Sequence, residues 1–314
     1  MKLSVKAKPF ISTKPSGTIV SWNVLSDTLT DAIANSVCTN TESALFPTSF
    51  FRKRIKYVEE KLQNLIKQLK YPIFCLQEVN DAKDESQSMV RVLTRLFQEK
   101  RYRVLCSNFG TFDHVYPELG VLVAIPEHLY DVLTFRIQQI AQNIPNTFIQ
   151  VKLRAKTSTE SFTVVNTHFP AKYNDTTFMK HVTESFLHHL GLSTTNTPKR
   201  MVLCGNFNTT IHNAWYPSLR HGFHTWTHQD DKISHLSIQR RDRRVTYNTV
   251  FQDFLDHFFW TRDISIHFIS DLPERLSIQE MEALKRPSRN DKNVLPSVQN
   301  PSDHYPLEVS FHLL

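Results

Sequence analysis

Residues 201–209 read Met-Val-Leu-Cys-Gly-Asn-Phe-Asn-Thr. An apolar run stops at a glycine, and two amides follow it. Such a run, bounded by a turn residue, has the form of a short buried strand. Asn206 and Asn208 then stand at the strand's C-terminal end, where a rigid sheet can deliver polar groups into a cleft.

The same placement recurs along the chain. Asn23 closes TIVSWN, and Glu78 closes IFCLQE. Asn166 and His168 close FTVVNTH. Asp256 and His257 lie in FLDHFF, and Asp303 and His304 precede an apolar run in PSDHYPLEV. One such residue alone is ordinary turn chemistry or a solvated charge. Six placements in one chain point to a shared site.

The segments between these ends alternate in kind. Strands are predicted at 18–23, 73–79, 102–107, 120–125, 148–154, 162–166, 200–204, 254–261, 264–269 and 307–311. Ile55, Val58, Leu62, Leu65, Ile66 and Leu69 recur at helical spacing, and Pro72 ends that helix. Further helices are predicted over 86–98 and 175–190, with Asp175 as N-cap and Gly191 just past the end. Residues 1–17 read as a flexible lead-in and 18–314 as a single domain with two packed sheets and helices outside. The polar stretch 271–300 reads as a long loop with one helical turn, of the kind that often serves function.

Composition narrows the class. The chain has 314 residues, with 37 Lys and Arg against 30 Asp and Glu, a net charge of +7. That excess points to a polyanionic partner. The cysteines, 38, 75, 106 and 204, form no C-x-x-C pair, so reduced thiols packed as small hydrophobes are expected. No stretch approaches a membrane span, and the start has no apolar core of a secretory signal. The expected location is cytoplasmic, with nuclear and mitochondrial alternatives open, and the expected state is a monomer.

Taken in order, these motifs resemble the endonuclease/exonuclease/phosphatase superfamily, from about residue 18 to 311. The residues that carry the likeness are Asn23, Gln77-Glu78, Asn166-Thr-His168, Gly205-Asn206-Phe-Asn208, Asp256 and Ser302-Asp303-His304. The resemblance implies a DNase I-like four-layer α/β sandwich of two packed mixed sheets flanked by helices. It also implies metal-dependent phosphoester hydrolysis with Mg²⁺, or Mn²⁺ as an alternative. Glu78 would be the principal metal carboxylate, helped by Asn23 and Asp303, since Mg²⁺ takes oxygen ligands and few carboxylates. His304 would contact the scissile phosphate or move a proton, oriented by Asp256. His168 would be a second phosphate donor, Asn208 would hold a phosphate oxygen or water, and Asn166 would face the substrate.

At one position the chain departs from the family pattern. The resemblance implies an aspartate where Asn206 stands. An amide is a poor base and a weak metal ligand, and loss of a general base costs on the order of 10²–10⁴ in rate. A natural slow enzyme or binder, an engineered inactivation, and replacement by another acid are the competing explanations.

Within the superfamily, SWNVLSD, FFRKR, VTYNTVFQDFLDHFFW and LPSVQNPSDH are most similar to the deadenylase–nocturnin–angel branch. That likeness implies single-stranded RNA as substrate and 3′–5′ exoribonuclease action. The basic runs at 52–56 and at Arg240–Arg244, with Arg243, Arg244 and Tyr247 as substrate contacts, would track an RNA backbone. Phe112, Tyr116, Trp215, Tyr216 and Trp226 are candidate base-stacking residues. The alternatives are a non-catalytic RNA- or partner-binding protein, a sphingomyelinase-type phosphodiesterase and a DNase.

Overall fold

The computed structural model describes residues 15–25, 50–80, 88–107, 119–171, 175–192, 199–220, 223–225, 234–240, 248–274, 277–284, 302 and 304–314. In chain order these form β1 (Ser16–Asn23), α1 (Phe50–Gln68), β2 (Ile73–Asn80), α2 (Met89–Glu99), β3 (Tyr102–Cys106), β4 (Leu119–Pro126), β5 (Tyr130–Gln139), β6 (Thr147–Ala155), β7 (Ser161–His168) and α3 (Thr176–His189). Then follow β8 (Met201–Asn206), α4 (Tyr216–Arg220), β9 (His224–Thr225), β10 (His235–Arg240), β11 (Asn248–Asp253), β12 (Asp256–Trp260), β13 (Ile264–Phe268), α5 (Ile278–Leu284) and β14 (Leu307–Leu313).

Two six-stranded mixed sheets stack face to face. The first runs β13-β14-β1-β2-β4-β3 and the second β5-β6-β7-β8-β12-β9. In each, one parallel pair sits among antiparallel neighbours: β1 with β2, and β7 with β8. Strand alternation decides what each face carries. Ile19, Ile73, Cys75, Val164, Val202, Cys204 and Phe258 face inward and form the core between the sheets. Val20, Trp22, Phe74 and Leu76 face outward and pack under α1 and α2. On the far side Val165, Leu203 and Phe259 pack against α3 and α4. The layers are therefore helix, sheet, sheet, helix, as expected.

Local chemistry explains the helix ends. Ser88 caps α2 by accepting from Arg91 N, and Asp175 caps α3 by accepting from Phe178 N. Gly191 follows α3 with φ +73°, a left-handed turn that suits glycine. Cys75 and Cys204 are buried free thiols, while Cys38 lies outside the described residues. Among the described residues no helix is long and apolar enough to cross a membrane.

The strand prediction misses β5 and the β10–β11 hairpin. In β5 the register slips between Val132 and Thr134, and a bulge interrupts the period-two pattern that marks a strand. Within 271–300, the described part contains α5, seven residues long.

The glycine of the opening motif has a strict steric reason. Gly205 has φ +143°, and a Cβ there would lie 1.9 Å from the Thr167 carbonyl oxygen of the adjacent parallel strand. Gly205→Ala should lower the unfolding free energy by about 3 kcal/mol or more, since the contact is with backbone and the conformation is strained for any other residue. Chemical denaturation of the two proteins measures this, and a loss under 1 kcal/mol, on the order of an ordinary surface change, would contradict it.

Candidate active site

The polar ends of the inward-facing rows meet at one end of the sandwich. In the second sheet His168 pairs with Asn206 and Asn206 with Asp256, so three site residues stand in one row on one face. In the first sheet Asn23 lies beside Gln77.

Glu78 reaches the site through an irregularity. Gln77 pairs with Val121 and Val79 with Gly120, which leaves Glu78 as the extra residue of a bulge, with φ +57°. A bulge re-aims a side chain, and here it turns a buried carboxylate toward the opposite sheet. Leu25 (φ +57°) and Asn208 (φ +46°) take the same left-handed conformation just beyond β1 and β8. Non-glycine residues seldom adopt it, and such strain gathers at functional sites.

Each side chain is held by its neighbours. Asn23 Nδ2 donates to Glu78 Oε1 at 2.7 Å and lies 3.4 Å from His304 Nε2, while its Oδ1 accepts from Leu25 N at 3.0 Å. His304 Nδ1 donates to Asp256 Oδ2 at 2.7 Å, which turns Nε2 toward Asn23. The backbone around His304 is tied down as well. Trp22 Nε1 donates to its carbonyl at 3.0 Å. Ser302 Oγ donates to the Asn23 carbonyl at 2.6 Å and accepts from His304 N at 3.1 Å. His168 Nε2 lies 3.5 Å from Glu78 Oε1. Burial lowers the His168 pKa, against the pull of Glu78, so at neutral pH this approach is a polar contact rather than an ion pair.

The structure brings together Asn23, Glu78, His168, Asn206, Asn208, Asp256 and His304. Several of them are engaged with one another. Asn23 turns its nitrogen, not its oxygen, to Glu78, so it steers the carboxylate. Asn208 Nδ2 donates to the Phe169 carbonyl at 2.6 Å and lies 3.3 Å from His168 Nε2, which makes it a positioner of His168. Asn166, expected on the substrate, is fully buried between the sheets. Its Oδ1 accepts from Gln77 Nε2 at 2.8 Å, and its Nδ2 donates to the carbonyls of Leu76 at 2.9 Å and Leu122 at 3.0 Å. Its hydrogen-bonding groups are occupied by the opposite sheet, not left for a ligand.

Other expected contacts are also structural. His257 points away from Asp256 and packs among Phe207, Tyr216 and Phe259. Trp215 and Tyr216 are 1% and 4% exposed and cannot stack on a base. Arg54, from the first basic run, is 1% exposed and donates to the Val24 carbonyl at 2.8 Å. Asp303, Arg243, Arg244, Tyr247, Phe112, Tyr116 and Trp226 lie outside the described residues.

Ser234 is a residue that sequence reasoning missed. Its hydroxyl accepts from Leu255 N and Asp256 N, at 2.9 and 3.1 Å, and its carbonyl accepts from Tyr305 N at 2.8 Å. It thereby ties the Asp256 strand to the His304 segment. A serine in a polar stretch carries no signal that would single it out.

Among the described residues no three His, Cys, Asp or Glu side chains converge as a metal cluster. One buried carboxylate, Glu78, beside amides fits a hard ion that keeps most of its water, such as Mg²⁺. Among the described residues Asp256 Oδ1 is buried and takes no hydrogen bond; an unpaired buried acceptor is uncommon and often marks a functional group.

Two stability predictions follow from these contacts. Asn166→Ala removes the bonds to Gln77 Nε2 and to the two carbonyls from the buried layer. It should cost about 2–4 kcal/mol, measurable by denaturant unfolding; an unchanged midpoint with weakened ligand binding would return Asn166 to the substrate. Burial pushes His257 down from 6.5 to about 4, against its bond to the Thr209 carbonyl. The unfolded chain therefore binds this proton at higher pH than the folded one. Stability should fall as pH drops from 6.5 toward 4, by about 3 kcal/mol from this group. Replacing His257 by Phe should flatten that limb, and an identical slope in both proteins would remove His257 as its cause.

Comparison with known proteins agrees with this architecture. The pattern of the Endonuclease/Exonuclease/phosphatase family matches residues 20–304. Curated protein sequences give no significant match. Among solved structures, ANGEL2, a 2′,3′-cyclic phosphatase solved with adenosine-2′,3′-vanadate, superposes with TM-score 0.68 at 14% identity, covering 96% of each chain. The human Nocturnin catalytic domain with bound sulfate gives 0.59 at 17% identity, covering 97% of each chain. TDP2 of D. rerio with a single-strand DNA product gives 0.56 at 14% identity, covering 94% of this chain and 98% of that one. These likenesses speak to the fold, and the match over 20–304 to the family: the chain belongs to the Endonuclease/Exonuclease/phosphatase family.

Proposed function

We propose that the protein is a Mg²⁺-dependent phosphodiesterase acting on single-stranded RNA, a 3′–5′ exoribonuclease of the deadenylase type. The observation that carries this reading is the convergence of Glu78 and His304 from the side of the first sheet with Asp256 and His168 from the second. The cation would sit on Glu78 and stabilise charge on the phosphoryl and leaving oxygens. Asn23 holds Glu78 in place, and Asn208 holds His168. His304 Nε2, with Nδ1 locked to Asp256, is placed to bind the phosphate or take a proton. The net charge of +7 favours a polyanionic substrate. ANGEL2, a 2′,3′-cyclic phosphatase solved with adenosine-2′,3′-vanadate, makes an RNA 2′,3′-cyclic phosphate end one form of substrate to test.

Asn206 favours a second reading, a non-catalytic RNA-binding protein that keeps the old cleft. One assay separates the two. The native protein, Asn206→Asp and Glu78→Gln are incubated with 5′-labelled single-stranded RNA ending in poly(A), with Mg²⁺ or chelator. The expected result is metal-dependent shortening by Asn206→Asp, about 10²-fold or more faster than by the native chain, and none by Glu78→Gln. Equal rates for native and Asn206→Asp would remove Asn206 as the cause of slow turnover. No shortening by either would sink the RNA-hydrolysis reading.

A further inference from the structure

Asn206 is 1% exposed, and its Oδ1 accepts the N–H of Asn208 at 2.8 Å. A backbone N–H can only donate, so the amide oxygen must lie on that side and the nitrogen on the other. Among the described residues Nδ2 has no hydrogen-bond partner. Register holds the residue between His168 and Asp256, on the face that carries both.

An aspartate with this backbone would keep one oxygen on Asn208 N and present the other, negatively charged, where Nδ2 stands. The amide reverses the polarity of that single atom, from anionic acceptor to neutral donor. A donor that its own chain leaves without a partner is available to a ligand oxygen. The neighbouring carboxylates, Glu78 and Asp256, repel a phosphate, so one fewer negative charge at the centre of the row favours it.

We propose that Asn206 is a phosphate-binding residue: Nδ2, fixed by the Asn208 turn and flanked by His168 and Asp256, donates to a phosphoryl oxygen of the bound ligand. The inference rests on reading the cleft as a phosphoester site. It adds that the amide strengthens ground-state binding as well as removing a base. The chain then holds its ligand in the absence of metal, where an aspartate version does not.

The test is binding with chelator present, so that turnover plays no part. Inorganic phosphate is followed by ³¹P line broadening and fluorescein-labelled oligoadenylate by anisotropy, for native protein, Asn206→Asp and Asn206→Ala. Asn206→Asp should bind both probes at least about tenfold more weakly, and Asn206→Ala a few-fold more weakly, since it loses the donor without adding charge. Asn206→Asp retains the bond to Asn208 N, so its unfolding midpoint should stay close to native, which separates lost binding from lost structure. Equal or tighter binding by Asn206→Asp would overturn the proposal and leave the RNA reading to the turnover assay. Failure of the native protein to bind either probe would also overturn it; shortening of RNA by Asn206→Asp with Mg²⁺ would then show that the substrate reading survives.

Discussion

The hydrogen bonds of one buried amide hold the site's two halves at working distance. Asn166 stands on the second sheet, yet all three of its side-chain hydrogen bonds reach the first, to Gln77 Nε2 and the carbonyls of Leu76 and Leu122. Below this layer the sheets meet through apolar side chains, which are non-directional and tolerate sliding. Amide hydrogen bonds are directional and, once buried, costly to break. The bolt therefore sets the offset between sheets just below the level where Glu78 must face His168 and Asp256 must reach His304.

Above the bolt, the site depends on departures from regular strand geometry. Period-two alternation carries Asn23, His168, Asn206 and Asp256 to the inner face unaided. Glu78, next to inward-facing Gln77, would face out toward the helices by the same rule. The bulge in β2 corrects that, at the expense of a left-handed residue. His304 is delivered by a segment fastened through Ser302, Trp22 and Ser234. Polar side chains such as Asn23, Asn166 and Asn208 hold others in place, and preorganisation of this kind is what a phosphoryl-transfer site requires.

Asn206 occupies the middle of this frame, and its backbone setting suits either amide or carboxylate. Gly205 and the Asn208 turn constrain the main chain whichever stands there. The chemistry of the row thus changes with little change of fold, which separates the question of architecture from that of turnover.

The sequence by itself determined the architecture and most of the site. Strand ends could be read from apolar runs that stop at polar residues, helices from their spacing and caps, and the order of motifs pointed to the family. Those signals are local, written in a few consecutive residues. What only the tertiary structure decided was which of those polar groups are taken up by one another across the sheets. Asn166 and His168 are two residues apart on the same strand face and read alike, yet one spans to the opposite sheet and the other stands beside Glu78. Arg54 read as part of a basic run and Trp215 as a loop aromatic, and both are buried. Ser234 carried no mark at all. The β5 strand was hidden because a bulge interrupts its alternation. In each case the deciding partner is far away in sequence, and burial and hydrogen-bond pairing exist only once the chain has brought the partners together.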